Sequence, residues 1–166
     1  MSRFVESGMT FEFDDSRLFR IEESPALRSK GHIKACECVV VDGQELKLIE
    51  AKSSAPNPET PDNAGNVEEF MSLIEQKFVD TLLYTNSLMT GRNADEACPK
   101  SISSLNPRSA TYKFFLVISG FERRWLPAQQ DMLKKVMAHV FKSWNIADSS
   151  LKVINAGLAR EMGLIR

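Results

Sequence analysis

Apolar and polar residues alternate along two parts of the N-terminal half of this chain, which predicts β-strands. Within residues 9–22 the alternation lies on both sides of Asp14, Asp15 and Ser16, which predicts one hairpin. Its buried candidates are Phe11, Phe13, Leu18 and Ile21. Residues 36–41 and 46–51 form a second pair of runs, and Asp42 and Gly43 between them are typical of a tight turn.

Helical periodicity marks the intervening and later segments. Ser24 and Pro25 predict the start of a short helix that ends at Gly31. Apolar residues recur at threes and fours in residues 67–89, which predicts a long helix with Asn66 as its N-cap and Gly91 after its end. A second amphipathic helix is expected from Pro127 to about residue 144.

The other segments complete the predicted order. Residues 112–119 are apolar on both faces, as in a central strand, and residues 151–154 predict a last strand before a short C-terminal helix. Residues 53–65 and 92–110 are polar or rich in Pro and Gly, which favours loops. This order predicts an α/β fold with a mixed β-sheet flanked by helices, in a single domain covering residues 1–166.

The second hairpin carries an unusual amount of charge. Glu50 and Lys52 are two residues apart on one strand, so their side chains leave the same face. If the hairpin loop has two or four residues, the numbers of two residues that lie opposite each other on the two strands add up to 85 or 87. Glu37 then lies on the same face as Glu50 and Lys52. A three-residue loop would send Glu37 to the opposite face. Carboxylate pairs of this kind suit hard divalent cations, which take oxygen ligands and waters.

The combination of Glu37 with Glu50-x-Lys52 resembles the PD-(D/E)XK nuclease superfamily, whose fold is restriction-endonuclease-like. Glu37 stands thirteen residues before Glu50, across a hairpin, where that family has its first acidic residue, although the usual Pro-Asp is replaced by Cys36 and Glu37. The resemblance implies that Glu37, Glu50 and the Ala51 carbonyl bind Mg²⁺ or Mn²⁺. Lys52 would then act on water or on the phosphate.

The same resemblance implicates residues outside the hairpin. A helix near the N-terminus of the family's fold often supplies one more acidic residue, and Glu22 or Glu23 could fill that role. Gln76 and Lys77 lie on the polar side of the predicted long helix, which in this superfamily sometimes faces the metal site. Asp80 follows Gln76 where a RecB-like pattern has tyrosine, so that branch is not supported.

Three functions remain open on these residues. The first is a magnesium-dependent endo- or exonuclease that hydrolyses phosphodiester bonds of nucleic acid. The second is a catalytically inactive module that keeps the nuclease fold for binding or regulation, with the charged residues as a cross-strand ion-pair cluster. The third is a different α/β enzyme, although no P-loop, G-x-S-x-G or Rossmann glycine pattern is present.

Composition limits the partners and the compartment. The net charge is −1, so no global field attracts nucleic acid, although a local basic rim could suffice; Arg17, Arg20, Arg28, Lys30 and Lys34 are near the site in sequence. No apolar run reaches the length of a membrane span, and no signal-peptide core is present. Three cysteines favour a reducing compartment, and we expect a cytoplasmic protein without a membrane partner. Cys36 and Cys38 should share one sheet face as buried apolar residues rather than as zinc ligands.

Overall fold

The computed structural model describes residues 1–166 and contains seven β-strands and five α-helices. The strands are β1 (Ser2–Glu6), β2 (Met9–Phe13), β3 (Leu18–Phe19), β4 (Cys38–Asp42), β5 (Glu45–Lys52), β6 (Thr111–Ile118) and β7 (Leu151–Asn155). The helices are α1 (Pro25–Arg28), α2 (Ala64–Met89), α3 (Lys100–Ser103), α4 (Leu126–Trp144) and α5 (Ala156–Glu161). No helix has the length and apolar character needed to cross a membrane.

A five-stranded mixed sheet forms the centre of the molecule, with the strand order β3-β4-β5-β6-β7. The first three strands are antiparallel to their neighbours, whereas β5, β6 and β7 are parallel. Parallel neighbours need crossover connections, and α2 and α4 supply them. The predicted α/β class with a mixed sheet flanked by helices is therefore confirmed.

Side-chain alternation along the strands creates an apolar core on each face of the sheet. On one face, Leu46 and Leu48 of β5 belong to the larger core, which also contains the apolar stripes of α2 and α4. On the other face, Ile49 and Ala51 belong to a smaller core that is closed by the β1–β2 hairpin and α5. Residues of β6 enter both cores, as expected for a central strand.

The β4–β5 hairpin has the register that brings the charged residues together. Asp42 pairs with Glu45, so Gly43 and Gln44 form a two-residue loop. Gly43 has a φ of 61°, a conformation that glycine adopts without strain and that such hairpin turns require. Cys38 pairs with Ile49, which leaves Glu37 opposite Glu50 just beyond the last paired position.

Three predictions about local structure are wrong. The turn at Asp14 does not join two paired strands, because β2 pairs with β1 across Ser7 and Gly8 while β3 pairs with β4. The long helix begins at Ala64, two residues before Asn66. Cys36 lies in the larger core and Cys38 in the smaller one, because the chain before β4 is not extended strand.

Candidate functional site

Glu50 and Lys52 form the base of the site, near the carboxyl end of β5. Oε1 of Glu50 lies 2.8 Å from Nζ of Lys52, so the two side chains share a face, as predicted. Glu50 is completely buried, whereas 27% of the Lys52 side chain is exposed. The ion pair therefore extends from the protein interior to the solvent.

The end of β5 is held in place by the turn after β6. The Ser119 N–H donates to the Lys52 carbonyl, and the Gly120 N–H donates to the Ser53 carbonyl. A Cβ atom at position 120 would lie 2.8 Å from the Ser53 oxygen, which is closer than Cβ contacts normally come. The close approach of these two segments therefore requires glycine.

Lys77 of α2 brings a second ammonium group to the same carboxylate. Its Nζ atom lies 2.9 Å from Oε1 of Glu50, 3.9 Å from Oε1 of Glu37 and 3.6 Å from Oε1 of Glu22. Burial lowers the pKa of this ammonium, but the charge and hydrogen bond of Glu50 outweigh it, so the net shift is upward. Lys77 is therefore a charged, buried centre around which three carboxyl groups converge.

Glu37 lies where the sequence predicts it, on the face of Glu50 and almost fully buried. Burial, a hydrogen bond with Glu22 and the charge of Glu50 together raise the pKa of Glu37 to about 9. At neutral pH this carboxyl group carries a proton. Repulsion between the two carboxylates contributes to the shift, but burial is its largest cause.

The structure distinguishes the two N-terminal candidates, Glu22 and Glu23. Glu22 lies in a 3₁₀ turn beside Lys77, within the cluster. Burial raises its pKa, but the hydrogen bond with Glu37 and the charge of Lys77 outweigh this effect and lower it overall. Glu23 is exposed and pairs with Arg20 at 2.7 Å.

The cluster is close to electrically neutral without any bound ion. Ionised Glu22 and Glu50 are balanced by the ammonium groups of Lys52 and Lys77, and Glu37 is protonated. Burial is the largest influence on the pKa of Glu50 and raises it overall, although the charges and hydrogen bonds of both lysines act in the opposite direction. Such balance is what a buried group of charges needs in order to persist in a folded protein.

Buried oxygen atoms of Glu37 and Glu50 are the candidate ligands for a cation in this site. Oε2 of Glu37 and Oε2 of Glu50 are both buried, and neither has a hydrogen-bond partner. Carbonyls alternate in direction along a strand, and the Lys52 carbonyl points toward β6, so the Ala51 carbonyl points toward the β4 side. These three oxygens fit the ligand preference of Mg²⁺ or Mn²⁺. No group of three or more His, Cys, Asp or Glu side chains is arranged to hold a metal ion.

Lys77 is the residue whose position sequence reasoning missed. The helical pattern predicts that Lys77 and Gln76 lie on the polar side of the long helix, yet Lys77 is buried and Gln76 is exposed. One signal was present, since position 77 lies three residues after Ile74 and directly before Phe78, at the edge of the apolar stripe. A lysine at such an edge can reach inward with its ammonium while its stem packs on apolar surface.

A cavity of about 310 Å³ leads from the surface to this cluster. Its lining includes Glu22 and Lys77 of the cluster, Arg28 at the end of α1, and Ile33 and Lys34 from the segment that follows. In comparisons with known proteins, no protein-family model, no curated protein and no solved structure matches the chain.

Proposed function

We propose that this chain is a divalent-metal-dependent phosphodiesterase that acts on nucleic acid and has a restriction-endonuclease-like fold. The arrangement of β4 and β5 supports this proposal, because the hairpin brings Glu37 to the face of Glu50 and Lys52. The position of Glu22 beside them also supports it, since the resemblance led us to expect one further acidic residue from the N-terminal region.

The observation that carries the proposal is the pair of unpartnered oxygens in the site. A buried carboxylate oxygen without a partner is costly, and native proteins rarely leave one without a reason. Oε2 of Glu37 and both oxygens of Glu50 have no hydrogen-bond partner. Oε1 of Glu50 lies within ion-pair distance of Lys52 and Lys77, so Oε2 of each residue is the oxygen without a polar neighbour. A divalent cation held by these two oxygens and the Ala51 carbonyl would satisfy both.

Each side chain has a distinct role in this proposal. A bound Mg²⁺ or Mn²⁺ would lower the pKa of a coordinated water and stabilise negative charge on the phosphate. Lys52 reaches solvent from the buried Glu50, so its ammonium can orient the attacking water or offset charge on a phosphate oxygen. Lys77 fixes the orientation of the Glu50 carboxylate, and Glu22 holds the carboxyl group of Glu37.

A second candidate is a binding or regulatory module without turnover. The observation that favours it is the position of Lys77, whose ammonium already pairs with the Glu50 carboxylate that would bind the metal. In either case the three free, buried cysteines are compatible with the reducing cytoplasm, where we expect the protein to act.

A cleavage assay separates the two candidates. The purified chain is incubated with end-labelled single-stranded DNA, duplex DNA and RNA in Mg²⁺, in Mn²⁺ and in EDTA. Cleavage should require the metal and should be lost in Glu50→Gln, while Glu45→Gln on the same strand should retain it. If the wild type cleaves none of these substrates with either metal, the catalytic proposal is wrong and the inactive module becomes the better account.

A further inference from the structure

The segment of residues 28–34, which begins at the last residue of α1, is exposed along its whole length and has no acidic residue. It carries Arg28, Lys30 and Lys34, together with His32. The segment forms one wall of the cavity that leads to Glu22 and Lys77. Its charge is therefore concentrated at the entrance to the candidate site.

Ion pairing separates the basic residues of this region into two groups. Arg17 pairs with Asp42 and Arg20 with Glu23, so their charges are locally compensated. Arg28, Lys30 and Lys34 take part in no ion pair. Lys30 Nζ instead donates to the neutral Asn93 side chain at 2.9 Å. Three cations without an ion-pair partner make the segment locally positive even though the chain as a whole is slightly negative.

The segment is also held in a fixed position. Nε of Arg28 donates to the Glu22 carbonyl at 2.9 Å, and the Lys34 N–H donates to Asp80 of α2 at 2.9 Å. Between these anchors, His32 has a φ of 55°, a left-handed conformation that costs a non-glycine residue about 1 kcal/mol. Because strain of this kind persists only where the surroundings impose it, the segment is preorganised.

We infer that residues 28–34 bind the phosphate backbone of a nucleic acid and lead it to the cavity above Glu22 and Lys77. This inference rests on the proposed function and extends it, because it names the residues that contact the nucleic-acid substrate. Arg28, Lys30 and Lys34 contact up to three phosphates. On the far side of Lys34 a groove is lined by Glu68 and Glu69, whose charges repel the strand and restrict its path to the Arg28 side.

The test measures the binding of nucleic acid under conditions in which metal-dependent cleavage does not take place. Fluorescence anisotropy of a labelled 20-nucleotide single strand and of its duplex is recorded in EDTA over a range of salt concentrations, with heparin as a second polyanion. The variant is the double substitution Lys30→Gln and Lys34→Gln. Arg28 is kept because its side chain holds the Glu22 carbonyl.

The control has the same change in charge at a distance from the segment. It combines Lys142→Gln in the last turn of α4 with Lys152→Gln on β7, and both residues are exposed. Lys152 precedes Val153, whose side chain lies in the larger core, so Lys152 faces the side of the sheet opposite to Glu50. Circular dichroism and melting temperature check that all variants fold.

We expect the segment variant to bind the oligonucleotide about 10-fold or more weakly, and the slope of log K against log salt to fall by about 1.5–2. The control should bind like the wild type. The inference would be overturned if the segment variant and the control lost the same affinity for the oligonucleotide. It would also be overturned if the wild type bound no oligonucleotide, or bound heparin alone. Cleavage is scored separately, so intact binding without cleavage would contradict the proposed function and leave this inference standing.

Discussion

The ammonium of Lys77, on the long helix α2, lies 2.9 Å from the buried carboxylate of Glu50, on the central strand β5. This ion pair joins two layers of the fold at the point where Lys52, Glu37 and Glu22 also converge. The Lys77 ammonium would therefore compete with a divalent cation for the Glu50 carboxylate, because the two positive charges would lie close together.

Lys77→Met should therefore strengthen metal binding. Removing a positive charge a few ångströms from the ligand oxygens should raise the affinity for Mn²⁺ by about 10-fold or more. Lys77→Arg keeps the charge and serves as the control. Calorimetric titration with Mn²⁺ measures both variants, and equal affinities for the Met and Arg variants would refute the competition.

Glu37 should make stability depend on pH. Its pKa is raised from 4.5 to about 9 in the folded state, so folding favours the protonated form. The stabilising contribution is complete below pH 4.5 and is lost progressively as pH rises toward 9. Urea unfolding in EDTA at several pH values should show this decline, and Glu37→Gln should make it shallower. The exposed Glu161→Gln should leave it unchanged, and an equal decline in wild type and Glu37→Gln would refute the assignment.

The ion pairs also determine the effect of removing Glu50. Repulsion between two neighbouring carboxylates, taken by itself, would make the removal of Glu50 stabilising. The structure reverses this sign, because Glu37 is protonated and Glu50 neutralises the buried Lys77. Glu50→Ala should lower the free energy of unfolding by about 3 kcal/mol, as expected when one partner of a buried pair is removed. Chemical denaturation in EDTA measures it, and a more stable variant would contradict the account.

The parts of the site that could be predicted from sequence are those that depend on the alternation of side chains along a strand and on the length of a turn. The two-residue turn at Gly43 and the period of two along β5 were enough to bring Glu37, Glu50 and Lys52 to one face. The position of Lys77 depends instead on how α2 is rotated against the sheet, which no local pattern determines. The charge balance of the cluster follows from that position. Repulsion between two neighbouring carboxylates predicts from sequence that one of them has a raised pKa, but burial, the largest cause of the shift at Glu37, depends on the tertiary structure.

The failed N-terminal hairpin has a similar cause. Alternation on both sides of Asp14 correctly indicated strands, but it contains no information about which strand each one pairs with. The apolar residues of β2 cover the smaller core, while those of β3 extend the main sheet beside β4. β2 therefore packs over one face of the sheet whereas β3 is part of the sheet itself, a difference that only the tertiary structure reveals.

Lys52→Ala separates catalysis from metal binding. If the ammonium acts on water or on the phosphate, its removal should reduce the cleavage rate by about 10²- to 10³-fold, while Mn²⁺ affinity changes little. Lys47→Ala is a close control, because Lys47 lies on the same strand and 24% of its side chain is exposed. Single-turnover cleavage and calorimetry measure the two effects, and an equal loss of rate in both variants would remove Lys52 from the mechanism.

The central claim is that Glu37 and Glu50 are brought together to hold a divalent cation. Its most direct test is the anomalous difference density of crystals soaked in millimolar Mn²⁺. The account predicts a peak between Oε2 of Glu37 and Oε2 of Glu50, within reach of the Ala51 carbonyl, and the loss of that peak in Glu50→Gln. Crystals of the wild-type protein without a peak at these oxygens, with and without a bound oligonucleotide, would contradict it.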